Sequence, residues 1–239
     1  MWFLRSAVPL AEIPIACDVH THLLPGRDDG FTSTEESLKA LTLCHRKGLR
    51  RVALTPHIEP ERYPQNTRGQ LEAAFTLFME QVPAGMDIQI TLAAEYMCDD
   101  SLDSQPSLLC FKDRTVLIEM SYYFPSPGLK QILFDLTTNG YQPVLAHPER
   151  YAYYASHPEV FDELHAMGCR FQLNLMSLGG VYGRESLRIL NYLDRQHLYH
   201  FAGSDLHSVT QWERLQRLKI SRSRALLVEK LAANNAALL

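Results

Sequence analysis

The stretch Val116-Leu117-Ile118-Glu119 contains, in four residues, the pattern on which the fold of this chain depends. Three consecutive apolar residues are typical of a strand that is buried on both faces, and the carboxylate follows where such a strand would end. The same order, an apolar run and then a side chain of metal-ligating type, recurs along the chain. The other examples are Asp18-Val19-His20-Thr21-His22, Thr55-Pro56-His57, His147-Pro148-Glu149-Arg150 and Gly203-Ser204-Asp205-Leu206-His207.

Apolar runs alternate with helical patterns, which is typical of a parallel sheet built from strand–helix units. The predicted strands cover residues 13–19, 51–55, 88–94, 116–120, 143–146, 171–175 and 198–202. The predicted helices cover about 33–47, 67–81, 128–139, 156–168, 184–195 and 211–233. We therefore predict an α/β fold, a distorted (βα)7 TIM-like barrel that forms a single domain over residues 1–239, with its core motifs at 18–207. Ligands at successive strand ends would then meet at one mouth of the barrel.

Composition indicates a globular protein with a large core. Of the 239 residues, 46% are hydrophobic and 21% are charged, and the formal net charge is −4. This charge gives no reason to expect binding to nucleic acid or to an anionic membrane. The apolar stretches are too short to span a bilayer, so no membrane insertion is expected.

The protein is expected to be cytoplasmic. Residues 1–16 are mildly apolar, but they lack a basic start, and Pro9 and Pro14 interrupt them, which is not typical of a signal peptide. The five cysteines are odd in number and irregularly spaced, so we expect reduced thiols rather than a disulfide framework.

The polar residues at the strand ends predict a metal site. His20 and His22 are two residues apart, so on a strand both imidazoles point to the same face. Asp205 and His207 repeat that spacing after Gly203-Ser204, where small side chains allow close approach. Each residue alone has an ordinary structural explanation, but so many at strand ends favour a polynuclear centre. The candidate ligands are His20, His22, Asp29, His57, Glu95, Glu119, His147, Asp205 and His207.

The chemistry of this set limits the metals that it would bind. Imidazoles and carboxylates without thiolates favour Mn²⁺, Fe or Zn²⁺ at a reactive centre over a structural zinc site. Crowded carboxylates repel one another, so we also expect bound cations to stabilise the fold.

The motifs, taken in order, resemble the PHP (polymerase and histidinol phosphatase) family over residues 18–207. They are D-x-H-T-H, D-D-G, T-P-H, the two strand-end glutamates, H-P-E-R and G-S-D-L-H. The stretch from His20 to Gly30, together with the stretch from His147 to Tyr151, is similar to one branch of that family. This branch comprises the bacterial manganese-dependent protein-tyrosine phosphatases of capsule and exopolysaccharide operons.

The resemblance implies a cofactor of two or three divalent ions, expected to be Mn²⁺ with Fe or Zn²⁺ as alternatives. The three metal positions would be formed by His20, His22, Glu95 and Asp205, by Glu95, Glu119 and His147, and by Asp29, His57 and His207. Asp18 would orient an imidazole; the alternative is an ordinary aspartate at a strand edge.

The resemblance also implies a reaction and a substrate. A hydroxide that bridges two ions would attack the phosphoryl group of a phosphotyrosine on a bacterial tyrosine autokinase. Arg150 would hold the phosphoryl oxygens with a two-pronged contact, and Asp29 and His207 would complete the catalytic set. The alternative for Arg150 is an ion pair with a nearby glutamate.

Other functions remain open at this point. One is a small-molecule phosphatase, such as histidinol-phosphate phosphatase, and another is an inactive metal-binding partner of the capsule machinery. Cys44-x5-Arg50 matches the loop of cysteine-dependent tyrosine phosphatases, but Cys44 lies within a helical pattern, so we interpret the match as accidental.

Two further surfaces are left with alternatives. Tyr122, Tyr123 and Phe124 are expected to pack in the loop and core, and the alternative is that they flank a phosphotyrosine ring. The basic residues of the C-terminal helix are expected to form a solvated face, and the alternative is a docking surface for an acidic partner.

Overall fold

The computed structural model describes residues 7–102 and 107–239. Of the N-terminal segment that we considered as a leader, residues 1–6 lie outside the described part. The strands are β1 (Val8–Pro9), β2 (Cys17–Asp18), β3 (Arg51–Leu54), β4 (His57–Ile58), β5 (Gln89–Leu92), β6 (Glu95–Met97), β7 (Thr115–Glu119), β8 (Gln142–Ala146), β9 (Arg170–Asn174), β10 (Tyr199–Gly203) and β11 (Lys219–Ile220). The helices are α1 (Thr34–Arg46), α2 (Arg68–Met79), α3 (Leu129–Thr138), α4 (Val160–Ala166), α5 (Gly183–Arg195), α6 (Val209–Arg217) and α7 (Arg222–Asn235).

The core strands form two parallel sheets. One has the order β10-β9-β8-β7-β6-β4 and the other the order β2-β3-β5. Each predicted strand is present, and the parallel α/β architecture is confirmed. Within the described residues the ladders do not join into one continuous ring.

Two of the predicted strands, at 51–55 and 88–94, are each followed by a short second strand that was not predicted. Thr55-Pro56 separates β3 from β4, and Ala93-Ala94 separates β5 from β6. Proline has no N–H to give to a ladder, which accounts for the first break. The two segments nevertheless stay side by side between the strands. The N–H group of Ala93 donates to Leu54 O at 2.9 Å, and that of Glu95 donates to Pro56 O at 3.2 Å.

The segments that follow β2 and β10 also lie next to each other. Thr21 and Leu206 form an isolated parallel bridge. On either side of it, Asp205 N donates to His20 O at 2.9 Å and His22 N donates to Leu206 O at 3.0 Å. The first and last motifs of the chain therefore meet at a backbone seam.

The helices begin and end largely as their sequence signals predict. Ser33 Oγ accepts a hydrogen bond from Glu36 N at the start of α1, and Thr67 Oγ1 accepts one from Gln70 N at the start of α2. Gly48 and Gly140 take left-handed backbone conformations just after α1 and α3, with φ values of 104° and 78°. The fourth helix begins later than predicted, at Val160, without a side-chain cap.

The single C-terminal helix predicted over 211–233 is wrong. The structure has two helices, α6 and α7, separated by β11, which pairs antiparallel with β1. Helix α6 ends at Arg217, and Leu218 takes an extended conformation from which Leu218 O accepts a hydrogen bond from Leu10 N at 2.8 Å. The N-terminal pairing therefore overrides the helical pattern of the sequence.

The buried apolar residues form a large cluster and a smaller second one, which includes Leu117, Val144 and Phe201. Tyr96, Tyr151, Phe161 and Phe171 of the large cluster are among the largest buried side chains. None of the five cysteines, all of which lie in the described part of the chain, forms a disulfide. Within residues 7–102 and 107–239, none of the helices has the length and apolar character needed to cross a lipid bilayer.

Candidate metal centre

The strand-end residues singled out in the sequence come together at the carboxyl ends of the parallel strands. Four of them, two imidazoles and two carboxylates, form a fully buried group at the seam between β2 and β10. His20 Nε2 lies 3.0 Å from Glu95 Oε2 and 3.3 Å from Asp205 Oδ1, and His22 Nε2 lies 3.3 Å from each of the same two oxygens. Four atoms that could each bind a metal ion, two nitrogens and two oxygens, therefore face one another from three distant parts of the chain.

Glu95 joins this group to its neighbours. Its Oε1 lies 3.1 Å from His147 Nε2, while its Oε2 faces His20, His22 and, at 3.3 Å, His57 Nδ1. One carboxylate thus contacts imidazoles on both of its oxygens, which is the geometry expected of a bridging ligand.

His57 lies between the remaining carboxylates. Its Nδ1 is 2.8 Å from Glu119 Oε1, and its Nε2 is 3.4 Å from Asp29 Oδ1. His207 Nε2 approaches the same Asp29 oxygen at 3.5 Å. The set Asp29, His57 and His207 is therefore brought together as the resemblance implied, but His57 also lies against Glu119, which had been grouped with Glu95 and His147.

The donor set fits divalent cations. His57 Nδ1 is buried and has no hydrogen-bond partner among the described residues, although two carboxylate oxygens lie within 3.3 Å. A buried polar nitrogen without a hydrogen bond is costly, and a cation between it and the two carboxylates would remove that cost. Imidazoles with carboxylates and without thiolates suit Mn²⁺, Fe or Zn²⁺.

Opposite charges shift the pKa values of this cluster strongly. Burial alone would lower the pKa of His22, but the carboxylates of Asp28, Asp205 and Glu95 raise it well above its ordinary value. Burial would likewise raise the pKa of Glu95, yet the imidazoles of His20 and His57 hold it well below the usual range. The buried imidazoles and carboxylates therefore each favour the charged form of the other.

The imidazoles are fixed by a second layer of residues that the sequence did not single out as ligands. His20 Nδ1 donates to Gln172 Oε1 at 2.8 Å, and His22 Nδ1 donates to Asp28 Oδ2 at 2.8 Å. The only signal for Asp28 was its place in the D-D-G motif, and Gln172 gave no signal beyond lying in a strand. Both contacts leave the Nε2 atom free to face the centre.

Asp18 does not act as expected on an imidazole ring. Its Oδ1 accepts the backbone N–H groups of His20, at 3.2 Å, and of Ser204, at 3.1 Å. Because both N–H groups border the seam between β2 and β10, Asp18 positions the backbone that carries the ligands, not the ligands themselves.

Gly203, two residues before Asp205, allows the close approach of backbone and side chains that the sequence suggested. A Cβ atom at Gly203 would lie 2.6 Å from His20 Cβ and 2.9 Å from Gln172 Nε2. His147 and Asp205 themselves have positive φ values of 35° and 52°, which is strained for residues with a side chain. The strand ends are therefore bent sharply to direct these two side chains.

Arg150 is held between two tyrosine rings at the edge of the cluster. Its Cζ lies 4.3 Å from the ring centre of Tyr122 and 4.6 Å from that of Tyr182. Its Nη1 donates to Asp205 Oδ2 at 2.8 Å, so the ion pair is with an aspartate of the centre and not with a rim glutamate. The remaining acid of the H-P-E-R motif, Glu149, is buried and structural, because it accepts hydrogen bonds from Ser177 and Tyr199.

An open cleft of about 1090 Å³ leads to the cluster. Tyr122, Tyr123 and Phe124 lie in the loop after β7, as expected, but the expected packing in the core is wrong. All three line this cleft; Tyr123 and Phe124 are largely exposed, whereas Tyr122 is exposed over 39% of its surface. Tyr122 reaches inward, with its hydroxyl 3.4 Å from both Glu119 Oε2 and His147 Nε2, and burial raises the pKa of that hydroxyl well above its ordinary value.

The cysteine motif is confirmed as accidental. Cys44 is buried in the last turns of α1, and burial raises the pKa of its thiol. Arg50 lies on the far side of Gly48 and donates to backbone carbonyls of His45 and Leu49. No thiolate is therefore prepared for attack on a phosphate at this position.

Comparison with known proteins identifies relatives over most of the chain. The chain is 28% identical over 196 residues to the tyrosine-protein phosphatase YwqE of Bacillus subtilis (strain 168), which covers 80% of this chain and 77% of YwqE. It is 29% identical over 206 residues to the tyrosine-protein phosphatase CpsB of Streptococcus pneumoniae, covering 80% of this chain and 83% of CpsB.

A solved structure matches nearly the whole fold. It comes from the crystal structures of YwqE from B. subtilis and CpsB from S. pneumoniae, described as metal-dependent tyrosine phosphatases. The TM-score is 0.72 at 26% identity, over 93% of this chain and 94% of the other. The model of the family "Capsular polysaccharide synthesis, CpsB/CapC" matches residues 16–236. The chain therefore belongs to the CpsB/CapC family of capsular polysaccharide synthesis.

Proposed function

We propose that this protein is a metal-dependent phosphomonoesterase that hydrolyses phosphotyrosine in proteins. The observation that carries the proposal is the buried cluster of imidazoles and carboxylates at the floor of an open cleft, with Arg150 beside it. Relatives that cover four fifths of the chain are tyrosine-protein phosphatases, in agreement with this chemistry.

The proposed ligands are the nine residues identified from the sequence. His20, His22, Glu95 and Asp205 would hold one ion, Glu95 would bridge to a second beside Glu119 and His147, and Asp29, His57 and His207 would hold a third. His57 could also serve the second position, because its Nδ1 faces Glu119. When bound, two or three divalent ions, which we propose to be Mn²⁺, would supply a water of lowered pKa and neutralise phosphoryl charge.

The chain's own residues would orient the substrate. Arg150 has a rigid guanidinium plane between two rings, and one of its N–H groups already binds Asp205, so its other N–H groups are available to phosphoryl oxygens. The hydroxyl of Tyr122 lies 3.4 Å from both Glu119 Oε2 and His147 Nε2, where it would donate a hydrogen bond. Asp29 and His207, at the exposed side of the cluster, would complete the catalytic set.

The finer features of the prediction belong to the same proposal. The seven strands would form one distorted barrel, for which the Thr21–Leu206 bridge and the contacts between β3–β4 and β5–β6 are the support. The substrate would be a bacterial tyrosine autokinase of capsule or exopolysaccharide synthesis, and the protein would act in the cytoplasm.

The test compares two substrates after chelation and re-addition of Mn²⁺. We expect hydrolysis of a phosphotyrosine peptide and little or none of histidinol phosphate, and we expect loss of the peptide activity in His57→Ala. Preferred hydrolysis of histidinol phosphate would favour the small-molecule phosphatase. A Mn²⁺-loaded protein that hydrolyses neither compound would instead favour the inactive metal-binding partner.

A further inference from the structure

Exposed large apolar side chains are concentrated around the mouth of the cleft. Seven such residues are found among the described residues, and four of them line the cleft: Tyr122, Tyr123, Phe124 and Val181. The exposed fraction is 90% for Tyr123, 58% for Phe124 and 54% for Val181. Exposed apolar side chains concentrated around one cleft indicate an interaction site, since chance exposure would scatter such residues over the molecule.

The order of the strands places these residues on one side of the mouth. Tyr123 and Phe124 follow β7, and Val181 follows β9, with Arg150 after the strand between them, β8. The segments after β6 and β4, which continue the same sheet beyond β7, contribute Glu59, Glu61, Arg62 and Asp99 to the lining instead. The cleft therefore has an apolar wall, formed by Tyr123, Phe124 and Val181 after the strands on either side of β8, and a charged region after β4 and β6.

We propose that Tyr123, Phe124 and Val181 form a subsite for an apolar side chain next to the phosphotyrosine in the substrate protein. This inference rests on the proposed function, because it assumes that the phosphoryl group reaches Arg150 and the metal centre. Tyr122 connects the two regions: its hydroxyl contacts Glu119 and His147, and its ring stacks on Arg150. A residue that flanks a phosphotyrosine bound at Arg150 would therefore pass over this wall.

The size of the cleft supports a polypeptide occupant. At about 1090 Å³ it reaches the upper limit of ordinary small-molecule sites, and its apolar wall extends outward beyond the metal centre. A free phosphotyrosine would occupy only the inner part and would leave Tyr123 in water. The wall would thus distinguish among phosphorylated proteins without affecting the chemistry at phosphorus.

The test combines protein variants with paired substrates. The variants are Tyr123→Ser, Phe124→Ser and both together, with Phe134→Ser as the matched control. Phe134 on α3 has the same exposed fraction as Phe124, 58%, but it does not line the cleft. The substrates are free phosphotyrosine, a phosphotyrosine peptide with leucines on both sides, and the same peptide with glycines, all with the Mn²⁺-loaded full chain.

We expect the wild type and Phe134→Ser to prefer the leucine peptide over the glycine peptide by about five-fold in kcat/KM, the order expected from partly burying a leucine side chain. In the double variant this preference should fall to about one, while kcat/KM for free phosphotyrosine changes by less than about two-fold.

Three results would overturn the inference. They are an unchanged leucine preference in the double variant, an equal loss on all three substrates, and a wild-type dimer that the double variant converts to a monomer in light scattering. The last would mean that a second copy of the chain covers the wall. No activity on any of the three substrates, with the wild type included, would overturn the proposed function itself.

Discussion

Three of the five imidazoles of the centre share one arrangement. In His20, His22 and His207 the Nδ1 atom donates to an acceptor within the protein, namely Gln172, Asp28 and the carbonyl of Asp205, at 2.8 Å in each case. The tautomer and the ring orientation are thereby fixed, and each Nε2 faces the carboxylates. Such preorganisation means that a cation meets ligands that are already in place.

Gly203→Ala should displace His20. The added Cβ would lie 2.6 Å from His20 Cβ and 2.9 Å from Gln172 Nε2, so one of these groups must move. We expect a loss of about 1–3 kcal/mol in the free energy of unfolding, the usual cost of overpacking, together with weaker Mn²⁺ binding. Denaturant unfolding and metal titration would measure the two effects. Gly85→Ala is the control, because nothing lies within 4 Å of its added Cβ; equal behaviour of the two variants would contradict this account of the seam.

Arg150→Lys should weaken the binding of phosphate even though the charge is kept. Lysine cannot stack a planar group between Tyr122 and Tyr182 or offer a two-pronged contact. We expect the inhibition constant of inorganic phosphate to rise by about ten-fold, or about 1.4 kcal/mol. Arg217→Lys, at an exposed position of α6, should leave it unchanged. An unaltered inhibition constant in Arg150→Lys would remove this residue from the phosphate site.

At the scale of elements, α7 joins the two strands that carry the first and last ligand motifs. Asn235 Nδ2 donates to Cys17 O at 2.8 Å and to Ala202 O at 2.7 Å, and its Oδ1 accepts from Ala202 N at 3.1 Å. The side chain is fully buried, so it replaces the ladder that β2 and β10 do not form directly.

Asn235→Ala should destabilise the protein by roughly 3 kcal/mol or more, because three buried backbone groups lose their partner at about 1–3 kcal/mol each. The control is Asn234→Ala, which removes one exposed hydrogen bond to His200 O. Thermal unfolding of the metal-free proteins would show the difference. If both variants unfold at the same temperature, Asn235 does not hold this seam.

His200 on β10 should make the protein sensitive to mild acid. Burial, and then the positive neighbours His165 and Arg170, lower its pKa to about 4, and its Nδ1 accepts a hydrogen bond from Phe171 N. The unfolded chain regains the ordinary value of about 6.5, so it takes up the proton first, and stability falls as the pH falls from about 6.5 to about 4.

The variant His200→Asn keeps an acceptor but does not titrate. Its unfolding temperature should therefore decrease less between pH 7 and pH 5 than that of the wild type. His157→Asn, at an exposed position, should follow the wild type over the same range. A parallel decrease in all three proteins would show that other groups govern acid unfolding.

At the scale of the whole molecule, the sequence predicted the strand ends and the cluster because both depend on local patterns. An apolar run followed by a ligand residue predicts a buried strand and its functional end, and this holds for β7 with Glu119 and for β8 with His147. The break between α6 and α7 was not predictable in the same way, because it depends on pairing of β11 with the distant β1.

The residues that hold the ligands and the seam in place could not be predicted from local sequence patterns either. Gln172 and Asn235 act through partners more than 30 residues away, 152 positions for Gln172 and His20, so no local pattern indicates their role. The exposure of Tyr123 and Phe124 was likewise not predicted. Consecutive aromatic residues usually indicate buried core positions, and the sequence does not show that a cleft lies beside them.

We propose that residues from distant strands form one cation-binding centre that hydrolyses phosphotyrosine. Titration of the chelated protein with Mn²⁺, with both bound metal and hydrolysis of a phosphotyrosine peptide measured, would decide this. We expect negligible activity without metal and a rise that saturates at two or three ions per chain, with both binding and activity reduced in Glu95→Gln. Full activity in the chelated protein, or saturation of activity without bound metal, would contradict it.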